Sequence, residues 1–193
     1  MKLIGITGGI GSGKSIVCKV FAAMGVPIYE ADSRAKYLMN NDLSLKKSIQ
    51  NLLGEQAYIP TGEYNRVWVA SQVFNNPELL KQLNTIVHPR VREDAENWIQ
   101  KHSKAPFLLY EAALMKAAGD GNNFNKVIVV KSPIDLRIKR VQRRDNRSEQ
   151  EIRDIIARQI SDEERLKIAD FVIENDEVQP LLEQILDIEK VLI

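Results

Sequence analysis

The sequence predicts an α/β fold, a five-stranded parallel sheet flanked by helices, and three observations carry that prediction. Five short apolar runs, at residues 3–7, 27–30, 107–111, 127–131 and 171–174, have the length and hydrophobicity of strands buried on both faces. Most are followed by stretches with helical spacing, and strands alternating with helices form parallel sheets through right-handed crossovers. The first run leads directly into a glycine-rich turn and then a helix, the order of a strand–loop–helix unit with a ligand at the carboxyl end of its strand.

That turn reads Gly8-Gly9-Ile10-Gly11-Ser12-Gly13-Lys14-Ser15 and fits G-x-x-x-x-G-K-[ST], the phosphate-binding loop of nucleoside triphosphatases and kinases. A triphosphate needs many donors at close range, and glycines let the backbone turn its N–H groups inward. Lys14 reaches the β- and γ-phosphates as a compact point charge, and the Ser15 hydroxyl is the candidate Mg²⁺ ligand. Ile16, Val17, Val20, Phe21 and Met24 then fall at helical spacing, and Gly25 is placed to end the helix.

The second strand closes with Tyr29-Glu30-Ala31-Asp32. Asp32 is a candidate acceptor of a proton from a substrate hydroxyl, or a cap for the helix through Ser33, Arg34 and Leu38. Residues 33–103 show no strand pattern. Their apolar positions are helical: Leu45/Ile49/Leu52/Leu53, then Val67/Val69/Val73/Phe74, then Leu79/Leu80/Leu83/Ile86/Val87, with a turn at Pro60-Thr61-Gly62. The pattern is that of a helical lobe inserted after the second strand. His88-Pro89 reads as the start of a further helix, with proline in its first turn and Trp98 on its apolar side.

The third strand ends at Glu111, another carboxylate at the carboxyl edge. Between the last two strands, Ser148-x-x-Glu151 and Ser161-x-x-Glu164 are capping-box patterns that start helices at Glu149 and Asp162. Ahead of them lie Arg137, Lys139, Arg140, Arg143, Arg144 and Arg147, against the single acid Asp145. With Ile138 and Val141 inward, Arg140 and Arg144 share a face at i, i+4, and Arg137 stands at i−3 to Arg140. Guanidiniums so grouped suit transferring phosphoryl oxygens; the plainer alternative is a solvated basic face.

Composition narrows the classes. The chain has 193 residues and a net charge of +1, which gives no overall electrostatic case for nucleic acid or an anionic membrane. Its one cysteine, Cys18, excludes an internal disulfide and suits a reducing cytosol, where it packs rather than reacts. No apolar run approaches the ~20 residues of a membrane-spanning helix, and no signal-peptide pattern opens the chain. A soluble, cytoplasmic protein is the expectation. The two histidines lack the spacing of a metal site. A guanine-nucleotide switch would need Asp-x-x-Gly and Asn-Lys-x-Asp, and Asn125-Lys126 is followed by Val127-Ile128.

Taken together, the residues resemble the dephospho-CoA kinase family over almost the whole chain, from about residue 4 to 186. The motifs are Gly5-Ile6-Thr7 with the glycine loop, Ala31-Asp32 with Arg34-Ala35, His88-Pro89 with Arg92, Arg140 with Arg144-Asp145, Gln159, and Ala169-Asp170 leading to Ile173-Glu174-Asn175. The resemblance implies a P-loop nucleoside-kinase-type fold: a core at about 1–32, 104–136 and 169–193, a helical CoA-binding insert at about 33–103, and a lid at about 137–168. It implies transfer of the γ-phosphoryl of ATP, with Mg²⁺, to the ribose 3′-hydroxyl of dephospho-CoA. Asp32 becomes the catalytic base. Gly8, Gly9, Ile10, Gly11, Ser12, Gly13, Lys14, Ser15 and Ile16 wrap the phosphates, Arg140 and Arg144 belong to the lid, and Asn175 lies near adenine. Glu30, His88, Arg92 and Glu111 are the candidate contacts to the acceptor. Many members have Asp-Ala-Asp where this chain has Glu30-Ala31-Asp32. After Glu111 the family's proline, aromatic and second acid are replaced by Ala112-Ala113-Leu114-Met115-Lys116-Ala117. A kinase of another small alcohol or nucleotide, and a nucleotide-dependent switch, are the alternatives.

Overall fold

The computed structural model describes residues 1–74 and 76–193. In chain order it contains β1 (Lys2–Thr7), α1 (Lys14–Ala23), β2 (Ile28–Glu30), α2 (Ala31–Asn41), α3 (Leu43–Leu53), a 3-10 turn (Glu55–Ala57), α4 (Arg66–Val73) and α5 (Pro77–Lys101). Then come β3 (Phe107–Glu111), β4 (Lys126–Lys131), α6 (Ile134–Asp145), α7 (Glu149–Ala157), α8 (Asp162–Leu166), β5 (Phe171–Glu174) and α9 (Leu181–Leu192). The five strands form one parallel sheet in the order β2-β3-β1-β4-β5. The chain divides into two compact units, residues 1–30 with 102–193, and residues 31–101.

In the first unit the apolar runs form strands because their side chains are buried on both sheet faces. Ile4, Ile6, Phe107, Leu109, Ile128, Val130 and Ile173 pack with Val17 and Phe21 of α1 and Ile185, Ile188 and Leu192 of α9. Gly5 points to the opposite face, where Met115 and Phe124 of the irregular segment 112–125 fill the space a side chain would need. Tyr29 stacks on Tyr110, and Phe124 continues the row. Helix α1 stops in a Schellman turn. Gly25 (φ 88°) donates to the Ala22 carbonyl and Val26 to that of Phe21, both at 3.0 Å.

The second unit has its own core, built from Leu38, Leu45, Ile49, Ala57, Tyr58, Val69, Leu83 and Val87. Pro60-Thr61-Gly62 turns the chain as expected, with Gly62 at φ 83° and a bridge between Tyr58 and Tyr64. Asp42 caps α3 by accepting from the Leu45 amide at 3.0 Å, and its other oxygen accepts from Arg90 of α5. Arg34 of α2 grips Asp94 of α5 with two bonds, at 2.8 and 2.6 Å.

Two expectations are corrected here. His88-Pro89 does not start a helix: α5 runs unbroken from Pro77 to Lys101 with Pro89 inside it. An internal proline costs about 3 kcal/mol through the lost hydrogen bond and ring clash. Packing offsets it on both sides, through Leu83 and Val87 before the proline and Val91 after it, together with the ion pairs of Arg90 and Asp94. Nor does Asp32 cap α2, which begins at Ala31, so Asp32 lies in its first turn.

Asp42 ties cap and core together, so Asp42→Ala should destabilise the protein by about 1–2 kcal/mol, the loss of a cap plus a partly exposed ion pair. The Leu45 amide, and after it Arg90, holds the Asp42 carboxyl below its ordinary value. A depressed folded pKa gives stability that is present above the unfolded value and disappears as pH falls through the folded one. Urea melts from pH 7 down to pH 2 should show that acid-side loss shrinking in Asp42→Asn.

Candidate active site

The glycine loop spans the gap between Thr7, the last residue of β1, and Lys14, the first of α1. Gly11 (φ 75°) and Gly13 (φ 91°) are left-handed, a conformation that costs a non-glycine residue. Space makes the same demand. A side chain on Gly9 would meet the guanidinium of Arg137, one on Gly11 the Arg137 backbone, and one on Gly13 the Asn175 amide. Helix α1 has no side-chain cap and no acid in its first turn, so neither offsets the positive end of its dipole.

Lys14 forms an ion pair with Glu111, and both side chains are largely buried. Sheet register explains the meeting: Glu111 ends β3 beside Ile6 of β1, one residue before the strand gives way to the loop. Glu30 is level with Glu111 on the neighbouring strand, so two carboxylates stand side by side at the carboxyl edge. Ser15 and Ile16 lie exposed in the first turn of α1, and Asp32 is exposed in the first turn of α2, two residues beyond Glu30.

The segment after β4 closes on the loop through several residues. Arg140 donates to Ser132 Oγ at 3.0 Å, to the Asn175 carbonyl at 3.1 Å and to Glu177 at 3.0 Å, with Gly11 O at 3.5 Å. Asn175 Nδ2 donates to the Ser12 carbonyl at 2.9 Å, while Gln159 accepts from the Ile10 amide at 3.0 Å. Arg144 stands apart. Its guanidinium is exposed and held bidentate by Asp145, at 2.7 and 2.8 Å, which pushes its pKa up. Arg140 and Arg144 therefore share a helix but not an environment.

Arg137 departs furthest from the sequence reading. It is fully buried, donating to the Ile10 carbonyl at 2.8 Å and to Asp162. The signal was in the pattern: with Ile138 and Val141 inward, a residue at i−1 and i−4 to them is inward too. Ser132 and Glu177, the anchors of Arg140, had no such signal, because each is placed by a turn after a strand. Ser148 forms the full capping box, but Ser161 forms half of one, since the Glu164 carboxylate turns to Lys167 instead.

His88 and Arg92 lie at i, i+4 on one exposed face of α5. With Leu80, Asn84, Thr85 and Pro89 they line an open groove of about 480 Å³. Cys18 is an inert packing residue, its thiol pushed up to about 11 by burial. No cluster of three metal-binding side chains occurs among the described residues, and no described helix is long and apolar enough to cross a membrane.

Known proteins are similar to this chain over nearly its whole length. The dephospho-CoA kinase of Bacteroides fragilis is 37% identical over 185 residues, covering 96% of this chain and 90% of that one. That of Coxiella burnetii is 36% identical over 184 residues, covering 94% and 92%. The crystal structure of TT1252 from Thermus thermophilus superposes with a TM-score of 0.83 at 30% identity, covering 98% and 95%. The dephospho-CoA kinase from Campylobacter jejuni gives 0.68 at 29%, covering 99% and 96%. Shikimate kinase from Acinetobacter baumannii, at 0.52 and 17% identity with 99% and 92% covered, shares the fold alone. The family model described as dephospho-CoA kinase matches residues 2–180, which takes in the loop, both carboxylate-bearing strand ends, the arginine helix and Asn175: this chain belongs to the dephospho-CoA kinase family.

Proposed function

We propose that the protein transfers the γ-phosphoryl of ATP to the ribose 3′-hydroxyl of dephospho-CoA, giving CoA and ADP, the last step of coenzyme A synthesis. One observation carries the chemistry: a left-handed glycine cradle at an uncapped helix start, with Lys14 at its mouth. Backbone donors and Lys14 take the phosphate oxygens, and charge moving toward the bridging oxygen during transfer is stabilised by groups already in place.

Mg²⁺ fits the residues present. Ser15 offers a hydroxyl in the exposed first turn of α1, and a metal held mainly by substrate phosphates needs no preformed protein cage. Bound there, the metal would supply positive charge against the phosphate oxygens. Asp32 accepts the proton of the acceptor hydroxyl. Asn175 and Arg140 flank the nucleotide, and the groove of His88 and Arg92 on α5 receives the acceptor. The domain roles follow: core at about 1–32, 104–136 and 169–193, acceptor lobe at about 33–103, lid at about 137–168.

Purified protein with ATP and Mg²⁺ should convert dephospho-CoA to CoA and ADP, read by coupled assay and chromatography. Faster phosphorylation of another alcohol in an acceptor panel would move the reading to a different small-molecule kinase. In the lid, Arg144 must exchange Asp145 for phosphate, whereas Arg137 and Gln159 already tie the lid's base to the loop. Hydrogen exchange should therefore slow in residues 144–160 when a non-hydrolysable ATP analogue binds. Equal exchange with and without the analogue would show a fixed helical face.

A further inference from the structure

Two buried arginines share one carboxylate, and one of them, Arg137, reaches the phosphate loop. Arg137 of α6 and Arg165 of α8 are 2% and 3% exposed. Arg137 Nη1 donates to both oxygens of Asp162, at 3.1 and 2.9 Å, and Arg165 Nη1 donates to Asp162 Oδ1 at 3.1 Å. Arg137 also reaches the loop itself, through Nε to the Ile10 carbonyl at 2.8 Å and by filling the space beside Gly9. Arg137 Nη2, Arg165 Nε and Arg165 Nη2 are buried without a hydrogen-bond partner among the described residues.

The charges do not balance. Two guanidiniums face one carboxylate, and a buried charge without compensation is costly. Burial pulls the Arg165 pKa below its ordinary value, with Asp162 opposing the shift and Arg137 adding to it. A guanidinium nonetheless keeps its proton at any physiological pH, so the excess positive charge stays. It is held against a loop whose ligand is a polyanion.

We propose that the Arg137–Asp162–Arg165 cluster is a built-in counter-charge for the bound polyphosphate, and that Arg165 is a positioning residue acting on the nucleotide through Arg137 and the loop. The proposal rests on the reading of the glycine loop as the triphosphate site. Ligand-free protein carries an unbalanced buried charge; the polyphosphate completes it. One excess charge within ~10 Å of a phosphate, at an effective dielectric constant of about 20, changes affinity roughly tenfold.

The test exploits the sign of the charge. Calorimetry with the full chain and inorganic triphosphate, at low ionic strength where screening is weak, measures affinity without turnover. Arg165→Gln keeps a donor for Asp162 but removes the excess charge, and affinity should fall about tenfold. Asp162→Asn removes the counter-charge. It should bind triphosphate several-fold more tightly while melting at a lower temperature without ligand. Arg165→Lys should stay within about twofold of the wild type. A purely structural role would weaken Arg165→Gln and Asp162→Asn together, and that outcome, or an unchanged Arg165→Gln, overturns the proposal. Should Arg165→Gln fail to fold, unchanged or weaker binding in Asp162→Asn is enough to reject it. Wild-type protein that ignores triphosphate would instead overturn the loop reading beneath it.

Discussion

Lys14→Ala should lower turnover by about 10³-fold or more, because the ammonium stabilises charge that develops on the phosphates during transfer. The ion pair with Glu111 adds a second consequence. Deleting Lys14 strands a largely buried carboxylate, so the variant should melt earlier as well as turn over slowly. The two losses separate in the double variant Lys14→Ala/Glu111→Gln. Neutralising the stranded carboxylate should restore most of the melting temperature and none of the turnover. If turnover recovered with stability, Lys14 would be a structural partner of Glu111 and its role at the phosphates would be wrong. Ordinary turnover in Lys14→Ala would reject the site outright.

The sheet was legible because its strands are buried on both faces, which writes hydrophobicity into every position. Residues 3–7, 27–30 and 127–131 were expected; β1, β2 and β4 differ from them by one residue at the start. The glycine loop was legible for a related reason: Gly11 and Gly13 have conformations that few other residues adopt, so the backbone geometry appears as letters. What failed depended on tertiary context. Pro89 carries a local signal to start a helix, yet packing of Leu83, Val87 and Val91 carries α5 through it. For Arg137 the helical spacing points inward and the residue type outward; it is buried because the Ile10 carbonyl and Asp162 receive its protons. Ser161-x-x-Glu164 predicts a reciprocal box, but Lys167 competes successfully for the Glu164 carboxylate. In each case packing or a competing partner outweighed the preference that the motif alone expresses.

Replacing Asp32 with Asn tests the proton acceptor with little disturbance elsewhere. The side chain is exposed in the first turn of α2, is not the cap, and Asn is its near-isostere. The fold loses only the interaction of one negative charge with the helix start, commonly about 0.3–1 kcal/mol. Catalysis should lose far more. An amide cannot take a proton from a ribose hydroxyl at neutral pH, and removing a positioned general base costs roughly 10²–10⁴ in kcat. ATP should still bind within a few-fold of normal, since its phosphates are held by the loop and Lys14, and KM for ATP should change little. The expected signature is thus a fall in kcat with near-constant KM and melting temperature. Two comparisons assign the role: Glu30→Gln and Glu111→Gln, whose carboxylates stand level at the neighbouring strand ends. Should Asp32→Asn turn over normally while one of those fails, the base is the strand-end glutamate and Asp32 only decorates the start of α2.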